Sequence, residues 1–251
     1  MAPGSANLAL IEGTRPVIEA IRAGRRQVRV VYLPEGDGSA AQRELETLLA
    51  ARAIERRDAK RGEGVHGLAD PFPEEDFEAL LSGASPRFLV ALDRVTDVGN
   101  LGSIARSAEG AGAHGLILEY RHAPPIAPGA LRASAGALEH LRVGRTPNLA
   151  KAIELARGEG MAVLVADAKG VPLEEIPASI VAGDLVWVFG SEDLGARPAV
   201  RKGATAIVGI SLSGKLGSLG VSAAAAHLLF RTAEVRRSAA GANIAGRAKT
   251  S

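Results

Sequence analysis

From Phe88 onward the chain alternates short apolar runs with glycine-bearing loops and helical stretches, and this alternation limits the fold more than any other feature. Phe88-Leu-Val-Ala-Leu92 reads as a buried strand. The loop Asp93–Asn100, a helix from about Leu101 to Gly110 and a strand at Gly115-Leu-Ile-Leu118 follow it. After a proline-rich loop (Pro124, Pro125, Pro128) and the segment Ala130–Leu138, a helix is expected over 148–158. Strands are expected at Ala162–Ala166, Leu185–Phe189 and 206–210, with an alanine-rich helix last. Strands that are apolar at consecutive positions, separated by helices, predict an α/β fold with a mostly parallel sheet and helices on both faces. Aromatic residues are only 3% of the chain, so Ala, Gly, Leu and Val must do the packing.

The first third reads as a smaller α/β unit. Residues 15–24 form a helix with Pro16 in its first turn and Gly24 at its end, Val28–Leu33 a strand, and residues 40–53 a helix carrying Leu45, Leu48 and Leu49. A further helical segment is expected over Glu74–Leu81. The expected division is therefore a first domain over 1–75, a linker over 76–86, a main domain over 87–237 and a disordered basic tail over 238–251.

Several chemistries are excluded. The chain has no cysteine, hence no disulfide, no thiol nucleophile and no Cys-based zinc site. Its five histidines show no H-x-x-x-H spacing, so no metal is expected. A basic-then-apolar signal pattern is lacking, and no apolar run is long enough to span a bilayer, so a soluble, cytoplasmic protein without membrane contact is expected. The formal charge is only +2, but arginines cluster at Arg22, Arg25, Arg26 and Arg29, and again with lysine at Arg52, Arg56, Arg57, Lys60 and Arg61. Either cluster can be a solvated surface or a nucleic-acid contact.

Two motifs mislead. Gly110-Ala-Gly-Ala-His-Gly115 matches G-x-G-x-x-G, but it ends a helix and opens a strand, the reverse of a dinucleotide site; it reads as a helix end and turn. Gly209-x-x-x-x-Gly214-Lys215 approaches a P-loop, yet position 216 is Leu, and the hydroxyl that would ligate Mg²⁺ is missing. The informative loop is Ile210-Ser-Leu-Ser-Gly-Lys-Leu-Gly-Ser-Leu-Gly-Val-Ser, between a β-branched strand and a helix. It is poor in bulky side chains and lies next to free helix N–H groups, which suits a binding site.

Three ordered stretches carry a family resemblance: Asp97-Val-Gly-Asn-Leu-Gly-Ser-Ile-Ala-Arg106, Val188-Phe-Gly-Ser-Glu-Asp-Leu-Gly195, and Ile210 to Ala224. They resemble the three motifs of the SpoU/TrmH branch of the SPOUT RNA methyltransferases. Residues 130–142 resemble the insert between motifs. Gly13-x-x-Pro-Val-x-Glu-Ala-Ile-Arg22 is similar to the L30e-like substrate-binding domain of ribosomal-RNA members. The resemblance implies a trefoil-knotted sheet and a homodimer whose site is completed across the interface. It also implies an S-adenosylmethionine-dependent enzyme that methylates a ribose 2′-hydroxyl in RNA. The substrate it favours is 23S-type ribosomal RNA over tRNA; a tRNA enzyme, or a knotted RNA-binding protein without catalysis, are the alternatives.

By motif match, backbone groups of Gly190, Ile210 and Leu219 would hold the cofactor. Arg106 would activate the hydroxyl, Asn100 and Glu192 would anchor the target nucleotide and the loops, and Ser218 would bond near the ribose. Plainer roles are open for each: Asn100 as a helix cap, Glu192 as a favourable charge at a helix start, Ser218 or Ser222 as a cap of the last helix, and Arg106 as a surface residue. The third motif departs from the family's Ser-Leu-Asn, because Gly220 stands where the Asn would be.

Overall fold

A computed structural model describes residues 7–248 except Asp37 and Leu216, with side chains as far as Gly241. Leu216 of the P-loop comparison, residues 1–6 of the expected first domain and residues 249–251 of the expected tail lie outside the described residues.

The first unit comprises β1 (Ala9–Glu12), α1 (Thr14–Ala23), β2 (Val28–Leu33), α2 (Ala40–Ala51), β3 (Glu55–Asp58) and β4 (His66–Ala69). Its four strands run in the order β1-β4-β2-β3, with β2–β3 parallel and the other pairs antiparallel. Gly24 ends α1 in the left-handed conformation, and Ser39 caps α2 by accepting the Gln42 N–H at 3.2 Å. Val17, Ile18 and Ile21 of α1 are buried with Ile11, Val31 and Leu33 on one face of this sheet.

The chain continues through β5 (Glu74–Asp76) and a short 3₁₀ helix over Phe77–Leu81. It then forms β6 (Phe88–Asp93), α3 (Val98–Gly110), β7 (Gly115–Glu119), α4 (Pro128–Ala133) and, after a 3₁₀ turn at Ala137–Glu139, β8 (Arg142–Thr146). Then come α5 (Leu149–Gly158), β9 (Ala162–Pro172), α6 (Ala178–Ala182), β10 (Leu185–Gly190), α7 (Pro198–Arg201), β11 (Ala206–Gly209) and α8 (Val221–Ala248). Seven strands form one sheet in the order β11-β9-β10-β6-β7-β8-β5, every pair parallel. The expected α/β class and parallel sheet are thus observed.

Burial follows the two-residue period of the strands. Phe88, Val90 and Leu92 of β6, with Trp187 and Phe189 of β10, face α3 and α8; Leu89, Ala91, Val186 and Val188 face the other way, toward Leu149 and Ile153 of α5 and Val200 of α7. The single tryptophan, Trp187, is fully buried, and its indole N–H donates to Thr232 Oγ1 at 2.9 Å. No described helix is long and apolar enough to cross a membrane.

Three expectations are corrected. Glu74–Leu81 is not a helix, because Glu74–Asp76 pairs with β8 at the sheet edge and only Phe77–Leu81 coils, as 3₁₀. Residues 76–86 are not a bare linker, since Phe77 and Leu80 are buried in the core. Residues 238–248 are not a disordered tail but continue α8. This segment is alanine-rich and free of proline, and a helix already formed over its packed first turns extends without a new nucleation cost.

The two units meet at the segment resembling the family insert. Arg26 is buried and its guanidinium pairs with buried Glu139, while also donating to the Asp70 carbonyl at 3.1 Å. Arg25 donates to the Leu141 carbonyl. Burial lowers the Arg25 pKa from its ordinary value, against the pull of Glu75 and Glu139. Arg22 pairs with Glu19 and Glu44, and Arg29 with Asp70. The first arginine cluster is therefore engaged within the protein.

Candidate active site

The strand ends at the C-terminal edge of a parallel sheet leave unsatisfied backbone groups and room for a ligand. Here a cavity of about 330 Å³ opens beside the ends of β9, β10 and β11. Phe189, Val208, Ala224 and Leu228 supply apolar walls, and loops 191–195 and 210–220 form the rim. Of the residues named from sequence, Gly190, Glu192, Ile210, Ser218 and Leu219 all line it. Three stretches far apart in the chain thus converge on one site.

The glycines explain how the loops come so close. A Cβ on Gly190 would overlap the Gly195 carbonyl carbon and the Ala196 nitrogen, so the chain can pass over the end of β10 only if residue 190 has no side chain. The loop between them closes with the Gly195 N–H on the Ser191 carbonyl at 2.9 Å. Gly220 has φ +77°, with nothing within 4 Å of a Cβ there. This left-handed conformation is one that Gly adopts freely and Asn tolerates best among side-chain-bearing residues. The exchange of the family's Asn for Gly therefore fits the backbone this position requires.

Charged groups frame the cavity. Asp167 accepts the Lys169 N–H at 2.9 Å and pairs with Arg201. Burial opposes its ionisation, but these two partners outweigh burial and hold its carboxyl below the ordinary range. Lys169 also lines the cavity. Leu194, Leu212 and Leu219 sit at the mouth with 85%, 37% and 47% of their surface exposed.

Asn100 and Glu192 are brought together: the Asn100 side-chain N–H donates to Glu192 Oε1. The helix cap is Asp97, whose carboxylate accepts the Asn100 backbone N–H at 2.7 Å, so Asn100 is not the cap. Glu192 reaches the first turn of α3, so the favourable-charge reading holds alongside the hydrogen bond. Arg106 is not brought to this cavity. It is exposed on α3, six residues beyond Asn100 and about 9 Å along the axis. It lines a second cleft of about 320 Å³ with Arg15 and Glu19 of α1, Ser134 and His140. Among the described residues it has no ion-pair partner.

Sequence reading missed a buried network under the loop that follows β10. Arg197 donates through its backbone N–H and Nε to fully buried Asp93 at 2.7 and 2.6 Å, and through its terminal nitrogen to Glu119 at 2.8 Å. Glu119 also accepts the Leu149 N–H at 3.0 Å. Burial alone would lower the Arg197 pKa; Glu119 and Asp93 together raise it. The sequence signal for this network was an acidic residue closing each of two apolar strands, Asp93 and Glu119. The G-x-G-x-x-G match is disposed of as expected, with Gly110 ending α3, Gly112 in a turn at φ +82° and Gly115 opening β7.

The chain is similar to known proteins over most of its length. The family model described as "SpoU rRNA Methylase family" matches residues 87–230, and the one described as "RNA 2'-O ribose methyltransferase substrate binding" matches residues 10–60. An uncharacterized tRNA/rRNA methyltransferase of Mycolicibacterium vanbaalenii is 33% identical over 247 residues, spanning 92% of this chain and 77% of its own length. One from Archaeoglobus fulgidus is 37% identical over 175 residues, spanning 68% and 76%. Among solved structures, the SpoU methyltransferase AviRb from Streptomyces viridochromogenes in complex with AdoMet is 27% identical. It matches with a TM-score of 0.76 over 93% of this chain and 92% of that one.

Proposed function

This chain belongs to the SpoU rRNA methylase family of RNA methyltransferases, and from that premise we propose that it methylates a ribose 2′-hydroxyl of ribosomal RNA with S-adenosylmethionine as donor. The observation that carries this reading is the convergence of Gly190, Glu192, Ile210, Ser218 and Leu219 on one cavity. Its volume suits a nucleoside-sized ligand. The donor set fits as well, with apolar walls for an adenosine, backbone groups at 190, 210 and 219, and the charges of Asp167 and Lys169 for an amino-acid end.

The cofactor supplies an electrophilic methyl group, and the residues of this chain do the rest. Gly190, Ile210 and Leu219 hold the donor, while Ser218 and the Asn100–Glu192 pair fix the loops and the ribose. With the cofactor bound, the ribose oxygen would take the methyl group as the S–CH₃ bond breaks, the sulfur keeping the electron pair and leaving as a neutral thioether, and the hydroxyl proton would pass to solvent water. A guanidinium keeps its proton and is a poor base, so Arg106 acts by stabilising the developing alkoxide and pairing with a neighbouring phosphate. Arg106 stands on a cleft apart from its own chain's cavity, so we place it at the cavity of a second copy in a homodimer. Covering the exposed leucines at the mouth would serve the same assembly. The trefoil threading implied by the family resemblance belongs to this reading, and the tight crossing over Gly190 supports it.

A second reading, an RNA-binding protein without catalysis, is favoured by one observation: Gly220 supplies no side-chain amide to the loop. The deciding experiment is transfer of labelled methyl from S-adenosylmethionine to separate unmodified rRNA and tRNA pools, with digestion to nucleosides. 2′-O-methyl product in the rRNA pool is expected, and Arg106→Ala abolishes it while cofactor affinity stays near normal. Product in the tRNA pool alone would overturn the rRNA assignment, and cofactor binding without any product would favour the second reading.

A further inference from the structure

The chain that leaves β10 is tied down on both sides of the cavity rim. Gly190 and Asp93 are partners in register, so β10 and β6 end side by side. Asp93 is fully buried, and both of its oxygens accept from one residue: Oδ2 takes the Arg197 backbone N–H at 2.7 Å and Oδ1 takes the Arg197 Nε–H at 2.6 Å. A terminal nitrogen of the same guanidinium reaches one strand further, to Glu119 at the end of β7, at 2.8 Å. Four residues on, Arg201 at the end of α7 pairs with Asp167 of β9. The segment from Ser191 to Arg201 is therefore a strap over the C-terminal ends of four neighbouring strands, β9, β10, β6 and β7.

This strap carries the rim. Ser191, Glu192, Leu194 and Gly195 lie between the fixed points Gly190 and Arg197, and all four line the cavity. Ala196, next to Arg197, is buried. Pro198 follows, and it keeps Arg197 extended at ψ 148°, which sets the direction in which the chain leaves the loop. Buried carboxylates at two strand ends need a counter-charge. Here that counter-charge comes from the rim's own segment, through a fork that bonds two carboxylates on different strands at once. A lysine at this position would offer one point charge in its place.

We propose that Arg197 is a positioning residue for methyl transfer: by tying the strap to Asp93 and Glu119, it sets the rim against which the donor lies and holds Glu192 where Asn100 meets it. Arg197 does not line the cavity, so it acts through the loop and not by touching the donor. The inference rests on the methyltransferase reading above and adds to it a residue outside the three motif stretches.

The test uses the full chain and Arg197→Lys. This variant keeps a cation beside the two carboxylates and so avoids the unfolding that an uncharged replacement invites, but it cannot hold both strand ends. Its kcat for methyl transfer is expected to fall roughly 10- to 100-fold. Its dissociation constant for S-adenosylmethionine, measured by calorimetry, is expected to rise several-fold because the rim is no longer pre-set. In the cofactor-free protein, hydrogen exchange at the Gly195 amide, which is bonded to the Ser191 carbonyl, should quicken. A second variant, Arg197→Met with Asp93→Asn and Glu119→Gln, removes the buried charges together with the fork and should show the same three changes. A residue that only stabilised the fold would lower the thermal midpoint and leave the folded enzyme's kcat and cofactor affinity at wild-type values. If the wild type methylates RNA and Arg197→Lys matches it in kcat, affinity and exchange, the proposal is wrong and the methyltransferase reading stands. If the wild type binds the cofactor but methylates neither rRNA nor tRNA, that reading falls. The positioning role then stands on slower Gly195 exchange and tighter cofactor binding in the wild type than in the variants, and equal values overturn it as well.

Discussion

Asn100, in the first turn of α3, donates its side-chain N–H to the Glu192 carboxylate in the loop after β10. This bond joins two of the three motif stretches at the rim of the cavity, and it fixes the loop that Gly190 allows to cross the strand end. Asn100→Ala should free Glu192 and displace that loop. Methyl transfer is expected to fall roughly 100-fold through misplacement, with cofactor affinity changing little. Single-turnover rates set against calorimetric binding of S-adenosylmethionine check this; equal rates for wild type and variant would remove the pair from the mechanism.

Gly220 takes a left-handed φ of +77° with free space around its Cβ position. Gly220→Asn should therefore fold normally, with a stability change within about 1 kcal/mol. In the methyltransferase reading the added amide supplies the loop contact that the family's Asn makes, so turnover should rise. A thermal melt and a methyl-transfer time course decide it, and a fall in turnover would mean that this loop is built for glycine.

The buried pair Arg26–Glu139 ties the first unit to the segment around the 3₁₀ turn at Ala137–Glu139, with side-chain exposures of 2% and 1%. Glu139→Gln leaves the Arg26 charge in the interior without a counter-charge. Such losses cost about 3–5 kcal/mol, which urea unfolding would register directly. Replacing both residues with methionine should recover most of that stability, because the penalty comes from the orphaned charge and not from the absence of a pair.

The strands that sequence made visible include β6, β7, β9 and β10, whose apolar runs are unbroken, together with β2 and β11. Two strands of the main sheet that it hid, β8 and β5, are charged, and the structure shows why they are nevertheless strands. Arg142 and Arg145 interrupt β8, while Glu74 and Glu75 make β5 read as a helix. In the sheet Arg142 pairs with Glu75 and Arg145 with Glu74, both at 2.6 Å, so each strand neutralises the other at the edge. Hydrophobic period reports a strand's burial against a core; it is silent when burial is shared between opposite charges on neighbouring strands. The site divides in the same way. Loop glycines and motif polar residues are local in sequence and could be named, whereas Arg197 meets Asp93 and Glu119 only after folding.

Acid stability should depend on Asp184. Burial raises its pKa, but hydrogen bonds from the Arg87 guanidinium and backbone N–H and from the Ser85 hydroxyl outweigh burial and hold the carboxyl below its ordinary value. Between that lowered value and the unfolded one, about 3.9, the unfolded chain is protonated and the folded chain is not. The unfolded state then binds more protons, so stability rises with pH in that window. The contribution is complete above about pH 4–5 and is lost as pH falls through the folded-state value. Asp184→Asn removes it at neutral pH and should flatten the acid limb of a plot of urea midpoint against pH. A variant whose midpoint still falls as steeply as the wild type's between about pH 5 and pH 2 would show that other carboxylates set the acid limit.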